Sequence, residues 1–326
     1  MVKVSVVGLS YNCSEMVLEL IKSFYESSLK DIEMIIIDNA SSDGTVEKIH
    51  DKYPKVKVIA RHENIGSAAF NDALPIAKGE YIFYVDGDVK LGKNCLKEFY
   101  ETAESLGKNS ILTPNVFGYD EIHPILYQIN CCSVISRSFY SAWVKPKDMF
   151  AVEPKEVMMT SFCFMHKDAI KELGYIFDKD YFLYAEDVDL CLRMRLQGFK
   201  LYYCPNAIIY NKSESETAKK HLGMKKIVYY MERNLLMTFF KICSTKNLWL
   251  FLPYVLIMRG LALIKDLVTL KLSIFLARLK AYFWVIFHMP MIMQKRSFIQ
   301  SKRKKDDKHI FSLTDELYFL KSQIGR

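Results

Sequence analysis

Residues 79 to 89, Gly-Glu-Tyr-Ile-Phe-Tyr-Val-Asp-Gly-Asp-Val, constrain this chain most, because an apolar β-run ends there in two aspartates one residue apart. Such a run presents carboxylate oxygens at the C-terminal edge of a strand, where open α/β sheets bind ligands. Mg2+ is commonly held by one or two carboxylates plus substrate phosphates, so Asp86 and Asp88 point to a metal-bound nucleotide diphosphate. Asp-Gly-Asp is also good turn chemistry, which leaves a plain solvated turn open for the pair taken alone.

The segments before it favour the ligand site. Val2 to Leu9 is an apolar, β-branched run that ends in Ser10-Tyr11-Asn12, and Met16, Leu20, Ile21 and Phe24 then recur at helical spacing. A second strand, Met34 to Ile37, runs into Asp38-Asn39-Ala40-Ser41-Ser42-Asp43-Gly44-Thr45, a loop of capping and turn residues that starts a helix near Val46. Val56 to Ala60 reads as a short third strand. Asn64-Ile65-Gly66 precedes a helix expected over 67–77, which feeds the strand holding Asp86. Strands alternating with helices predict an α/β fold with a mostly parallel, doubly wound sheet.

In this order, Ser-Tyr-Asn, Ile-Asp-Asn-Ala-Ser-Ser-Asp-Gly-Thr, Asn-Ile-Gly with Asn71, Gly-Glu-Tyr-Ile and Asp-Gly-Asp resemble the family 2 glycosyltransferases, whose fold is the Rossmann-like GT-A. Downstream, Phe177 to Arg193, with Glu186-Asp187-Val188-Asp189 at its centre, looks like the acceptor-side Glu-Asp segment of the rhamnosyltransferase-like branch. The blocks cover about residues 1 to 240. The resemblance implies that Asp38 accepts a hydrogen bond from the N3–H of uracil or thymine, that Tyr11 offers its ring to the base, and that Ser10, Asn12, Asn64, Gly66, Asn71 and Gly87 belong to the nucleotide-sugar site. Asp86 would lie near the ribose or metal and Asp88 would bind the cation directly. For Asp38 a helix-capping role, and for Tyr11 a plain buried tyrosine, remain alternatives.

The implied chemistry is attack by an acceptor hydroxyl on the anomeric carbon with inversion, through a transition state of oxocarbenium character. Asp187 is the first candidate for general base, Glu186 the second and Asp189 the third. Crowding at the start of a helix would raise one of these pKa values while the helix dipole lowers it; an acidic N-terminus that only complements the dipole is the alternative. Two positions depart from the family pattern. Asn211 stands where a histidine would complete the metal site, an oxygen donor that tilts the expected cofactor from Mn2+ towards Mg2+. Phe70 stands where an arginine precedes Asn71. His221 is a substitute metal ligand or a surface residue. Arg233-Asn234 resembles a recurrent family feature, with Arg233 reaching the diphosphate or the acceptor-side carboxylates, or anchoring the C-terminal helices by an ion pair.

Charge divides the chain. Residues 1–218, the expected catalytic domain, carry 24 Lys or Arg against 31 Asp or Glu, whereas residues 219–308 carry 19 against 4. Within this basic part, Leu248 to Ile264 is interrupted only by Pro253, Arg259 and Gly260, and Leu267 to Phe287 carries Lys271, Arg278 and Lys280. A spanning helix needs roughly 20 apolar residues, so both are read as helices lying in, or partly entering, a membrane interface, with long cationic side chains snorkelling to headgroups. A pair of short spans is the alternative. Lys295, Arg296 and Lys302 to Lys305 form a polybasic tail suited to an anionic cytoplasmic leaflet; no nucleic-acid module accompanies it.

Met1-Val2-Lys3 leads straight into the first strand without a signal peptide, so the catalytic half is expected at the cytoplasmic face of the membrane. The eight cysteines lack zinc-type spacing and read as free thiols. Trp143 to Glu156 is expected to be a loop over the acceptor cleft, a lid or a plain surface loop, supported by a strand over 160–165. The combined expectation is a membrane-associated inverting glycosyltransferase, homo-oligomeric or not, that uses a UDP- or dTDP-sugar and a lipid-linked or cell-envelope glycan acceptor. Transfer to a polyprenyl phosphate, or a catalytically silent scaffold, are the alternatives.

Overall fold

The computed structural model describes residues 1–119, 129–132, 139–142, 155–157, 161–212 and 215–310. Strands β1 (Val4–Ser10), β2 (Ile32–Asp38), β3 (Lys57–Ala60) and β4 (Tyr81–Asp86) form the parallel half of one sheet in the order β3-β2-β1-β4. β1, β2 and β4 are nearly continuous apolar runs, as befits parallel strands covered on both faces, and Val4, Val6, Ile36, Phe83 and Val85 are fully or almost fully buried. Helix α1 (Ser14–Tyr25) turns Val17, Leu20, Ile21 and Phe24 inward at one-turn spacing. Helix α2 (Thr45–Lys52) starts from Gly44, whose left-handed φ of 74° suits a residue without Cβ.

Beyond β4 the sheet is mixed. β10 (Cys163–His166) runs antiparallel to β4 and to β6 (Ser110–Gly118), and β11 (Lys200–Asn211) runs parallel to β6. β11 also pairs antiparallel with β5 (Val89–Leu91) and β9 (Lys155–Val157). Its register shifts between Cys204 and Ile208, where Pro205 removes a ladder donor. Helices α3 (Cys95–Leu106), which packs on β6 and β11, and α4 (Lys167–Leu173) complete this layer.

The helix expected over 67–77 is instead a 3-10 helix, Gly66–Ala73. The Asn71 side chain donates to the Ala68 carbonyl at 2.9 Å, competing with helical backbone bonding, and Pro75 has no amide hydrogen with which to continue the helix. The loop expected over 143–156 falls mostly outside the described residues; Lys155 and Glu156, its last two, lie in β9.

The chain divides into two compact units, one comprising residues 1–129, 143–182 and 199–213, the other 130–142, 183–198 and 214–326. The second therefore takes helix α5 (Glu186–Gln197) and the β7 (Ile129–Cys132) to β8 (Phe139–Ala142) pairing along with the C-terminal helices. Those are α6 (Ser215–Ile242), bent at Gly223, then α7 (Thr245–Val268), α8 (Leu272–Phe287), α9 (Met289–Ser301) and the short α10 (Asp307–Ile310). α7 is long and apolar enough to cross a membrane, and α8 and α9 meet at 67°.

Two expectations for this unit are corrected. Arg259 and Arg278 do not snorkel outward: both are buried, Arg278 pairs with Glu232 and, at 2.7 Å, with Asp266, and Arg259 lies 3.8 Å from Glu232. The polybasic tail is also partly structural. Arg296 donates to the carbonyls of Phe240 and Cys243 at 2.7 and 2.6 Å, and Arg303 to that of Ile242, satisfying acceptors that the end of α6 leaves open. Burial lowers the pKa of Arg296.

Candidate functional site

In the first unit, the parallel register sets Ser10 opposite Asp38 and Leu9 opposite Asp86, so the ends of β1, β2 and β4 share one edge. Asp38 is 2% exposed. Its Oδ2 accepts from the Ser41 amide at 3.0 Å, as in an Asx turn, while its Oδ1 is buried with no hydrogen-bond partner. An unsatisfied buried carboxylate oxygen is costly, and this one lies at the C-terminal edge of the parallel strands, where open α/β sheets bind ligands. Tyr11, next along β1's edge, is 50% exposed and offers a ring to solvent.

The loops around Asp38 are tied together by side chains. Asn12, with φ 51°, receives the Ser42 amide on Oδ1 at 2.8 Å, and its own amide donates to Ser41 Oγ. Asp43 accepts from the Ser14 amide at 2.9 Å and from Thr45. Burial would raise the Asp43 carboxyl, but the hydrogen bonds from Thr45 and Ser14 outweigh it and hold the pKa below the ordinary value. Ser10 Oγ lies 3.3 Å from Cys13 Sγ.

Asn39 was not singled out in the sequence, yet it organises the next loop. It donates to Asn64 Oδ1 at 2.9 Å and to the Gly66 carbonyl at 3.2 Å, and accepts from the Ile65 amide. Gly66, at φ 68°, sits where a Cβ would overlap the Phe182 carbonyl. Asn71 spends its amide on the Ile176 amide and the Phe177 carbonyl at 2.8 and 2.7 Å, bracing that segment. Phe70, in place of the family's arginine, packs against the rings of Tyr84 and Phe177, which also touch each other.

At the Asp-Gly-Asp turn, the Gly87 amide donates to the Leu9 carbonyl at 2.7 Å, and a Cβ on Gly87 would meet that oxygen at 2.9 Å. Asp86 is exposed and Asp88 half-buried. Asn211, buried, ends β11 opposite Val89, so its backbone pairs with the residue after Asp88. Tyr119 is a second residue the sequence did not flag. Its pKa is pushed up to about 12 by burial first, then by the charges of Asp88, Glu19 and Cys13.

Among the described residues, no three His, Cys, Asp or Glu side chains cluster as a metal cage. The donor set that is present, two carboxylates and an amide oxygen, fits a hard cation that takes its remaining ligands from phosphate and water. His221 has no described side chain.

The second unit holds Glu186, Asp187 and Arg233. Glu186 and Asp187, both half-buried, form the first turn of α5. Asp189 is fully buried and paired with Arg193 at 2.8 Å and Lys241 at 2.7 Å, so as a third candidate base it is corrected to a structural charge. Arg233 is buried with its guanidinium 5.0 Å from the Tyr230 ring and 4.7 Å from the Trp284 ring.

The profile described as "Glycosyl transferase family 2" matches residues 5–174, more than half of the chain. A cholesterol galactosyltransferase of Borreliella burgdorferi is 36% identical over 107 residues, 32% of this chain and 30% of that one. A poly(ribitol-phosphate) beta-glucosyltransferase of Bacillus spizizenii is 36% identical over 105 residues, 30% of this chain and 17% of the relative. The chain thus spans less than a third of either relative. Among solved structures, S. aureus TarS 1–349 in complex with UDP superposes with a TM-score of 0.53 at 18% identity, covering 78% of this chain and 70% of that one. GalNAc-T7 with UDP, GalNAc and Mn2+ superposes with a TM-score of 0.57 at 15% identity, covering 73% and 47%. The chain belongs to glycosyl transferase family 2 and has a GT-A fold.

Proposed function

We propose that this protein is an inverting glycosyltransferase that moves a sugar from a UDP- or dTDP-linked donor to a hydroxyl of a lipid-linked or cell-envelope glycan, at the cytoplasmic face of a membrane. The observation that carries it is the buried, unpartnered Oδ1 of Asp38 at the ends of the parallel strands. Uracil and thymine both present an imide N–H suited to that oxygen, and Tyr11, which follows the Ser10 paired with Asp38 across the sheet, provides an aromatic face. The Glu-Asp segment supports the rhamnosyltransferase-like branch, and the named substrates of the relatives support an envelope or lipid acceptor.

In this mechanism Asp38 and Tyr11 hold the base, and the Asn39–Asn64 loop shapes the donor pocket. Asp187 takes the proton from the acceptor hydroxyl as that oxygen bonds to the anomeric carbon, with Glu186 beside it. The nucleotide diphosphate leaves from the opposite face. Asp88, Asp86 and Asn211 would hold Mg2+ or Mn2+, which would supply positive charge to offset that of a departing diphosphate.

Lipid contact is supported by the C-terminal helices, which expose Trp249, Leu256, Ile257, Leu261 and Ile264 on α7 and Leu276, Phe283, Ile286 and Phe287 on α8. A scaffold that binds a nucleotide sugar without turning it over is the second reading, favoured by Asn211. Calorimetry of UDP and dTDP, with and without Mg2+ or Mn2+, tests the donor site. Binding that needs the metal and is lost in Asp88→Ala supports it; no binding to the folded protein overturns it. Asp187→Asn then separates the two readings, because an enzyme loses turnover while a scaffold has none to lose.

A further inference from the structure

Helix α5 begins in an unusual way. Phe182, Tyr184 and Ala185 have φ values of 65°, 66° and 60°, left-handed backbone that residues with a Cβ seldom adopt. Ala185 is the N-cap, and no side chain caps the helix there. Such a conformation persists only where its surroundings over-determine it. Here it immediately precedes Glu186 and Asp187.

The surroundings are supplied by α6. Asn234, fully buried, donates from Nδ2 to the Leu183 carbonyl at 2.9 Å and to the Tyr184 carbonyl at 2.7 Å. Its Oδ1 accepts from Arg233 Nε at 2.8 Å, which fixes the amide with its NH2 towards the two carbonyls. Arg233 is in turn held over the rings of Tyr229, Tyr230 and Trp284. Seven residues further along α6, on the same face, Lys241 pairs with Asp189 of α5. One face of α6 therefore grips α5 at Asp189 and the backbone before it at 183–184, on either side of the Glu186–Asp187 pair.

We propose that Asn234, oriented by Arg233, is the positioning residue that sets the geometry of the Glu186–Asp187 turn for proton transfer. The proposal rests on those carboxylates being the reacting pair. Asn234 touches no reacting atom; it holds two peptide carbonyls, and through them the angle at which the first turn of α5 leaves the preceding chain. Among the described residues, no other side chain donates to those two carbonyls.

The test uses Asn234→Asp in the full chain, a near-isosteric change that keeps the acceptor for Arg233 and replaces two donors with an oxygen facing two oxygens. The expected result is a loss in kcat of about 100-fold, the scale for a misplaced reacting group, with the Kd for UDP within twofold of wild type. Combining it with Asp187→Asn should cost nothing beyond the larger single effect. Arg233→Lys, which keeps a cation over the rings but loses the Nε donor, should shift kcat in the same direction by less, and serves if the aspartate variant does not fold. Unchanged kcat in both variants overturns the proposal, as do effects of Asn234→Asp and Asp187→Asn that multiply independently. Should Asp187→Asn and Glu186→Gln both turn over normally, the base assignment itself fails. Hydrogen exchange at amides 183–189 then decides the clamp: faster exchange in Asn234→Asp supports it, and unchanged exchange overturns it.

Discussion

Asp38→Asn should move stability and nucleotide binding in opposite directions. In the free protein Oδ2 of Asp38 accepts from Ser41 and Oδ1 is buried without a partner, so the carboxylate carries an uncompensated desolvation cost. Asparagine can keep its oxygen on the Ser41 amide and place its NH2 where Oδ1 was, removing the buried charge. Melting temperature should stay level or rise, because the variant trades a buried, partly unsatisfied charge for a neutral amide whose NH2 is itself without an acceptor at that point. Binding should suffer, because the NH2 faces the imide N–H of the base, donor against donor. Loss of a hydrogen bond to a charged group costs roughly 1.5–3 kcal/mol, which is about 10- to 150-fold in Kd. Titration calorimetry with UDP, alongside a thermal melt of the same samples, reads both. An unchanged Kd would refute the assignment of the base edge, and a clear fall in melting temperature would mean that Asp38 serves the fold as a loop cap rather than the ligand.

Four further changes probe other parts of the molecule. Gly66→Ala should destabilise by at least about 1–3 kcal/mol, since the residue must keep a left-handed φ and its Cβ would overlap the Phe182 carbonyl; denaturant unfolding measures it, and a neutral result would refute the close approach. Arg278→Met should cost about 3–5 kcal/mol by stranding the Glu232 and Asp266 carboxylates in a buried site, measured the same way. The depressed pKa of Asp43 contributes stability that is present above its unfolded value of about 3.9 and lost as pH falls through the lower folded value. Asp43→Asn should therefore flatten the acid limb of melting temperature against pH, below about pH 4. Ile257→Glu, in the exposed face of α7, should lower flotation with anionic phospholipid vesicles while leaving the melting temperature unchanged.

The parallel strands were legible because each is an apolar run closed by turn residues, and β1, β2 and β3 differ from the expected spans by no more than two residues at either end. The strand-end carboxylates were legible for the same reason: a residue at the end of such a run must lie at the sheet's edge. Residues whose role is to bond distant backbone were not. Asn39 reaches a loop 25 residues away and Asn234 carbonyls 50 and 51 residues away, and neither spacing repeats. The 3-10 helix was missed because one side chain, Asn71, diverts a backbone carbonyl, an event that periodicity does not register. Tyr119 carries no local signal at all.

The C-terminal helices show a different limit, since periodicity finds a polar stripe without saying which way it faces. On α7 the buried positions are Leu248, Val255, Arg259, Ala262 and Asp266, at spacings of three, four and seven, while the exposed ones are almost all apolar. On α8, Arg278 is buried and Leu276, Phe283 and Ile286 are exposed. A water-facing helix has the opposite order. Turned inward, the charges compensate one another: Arg259 and Arg278 against Glu232 and Asp266, with the Tyr282 hydroxyl 3.2 Å from Glu232. Ionisable groups that pair inside a helical layer, beneath an apolar exterior, are what a hydrocarbon surrounding demands. At 24 residues α7 is about 36 Å long, so length alone permits a span. The exposed lysines argue for the interface instead. Lys265 and Lys271 flank the α7–α8 turn and Lys280 lies in the middle of a 16-residue helix, where a spanning α8 would carry into the hydrocarbon core an ammonium that has the Tyr229 ring, 5.5 Å away, and no carboxylate beside it among the described residues. Lying along a membrane surface, as proposed, both helices would bury their apolar faces and keep these three lysines at headgroup depth.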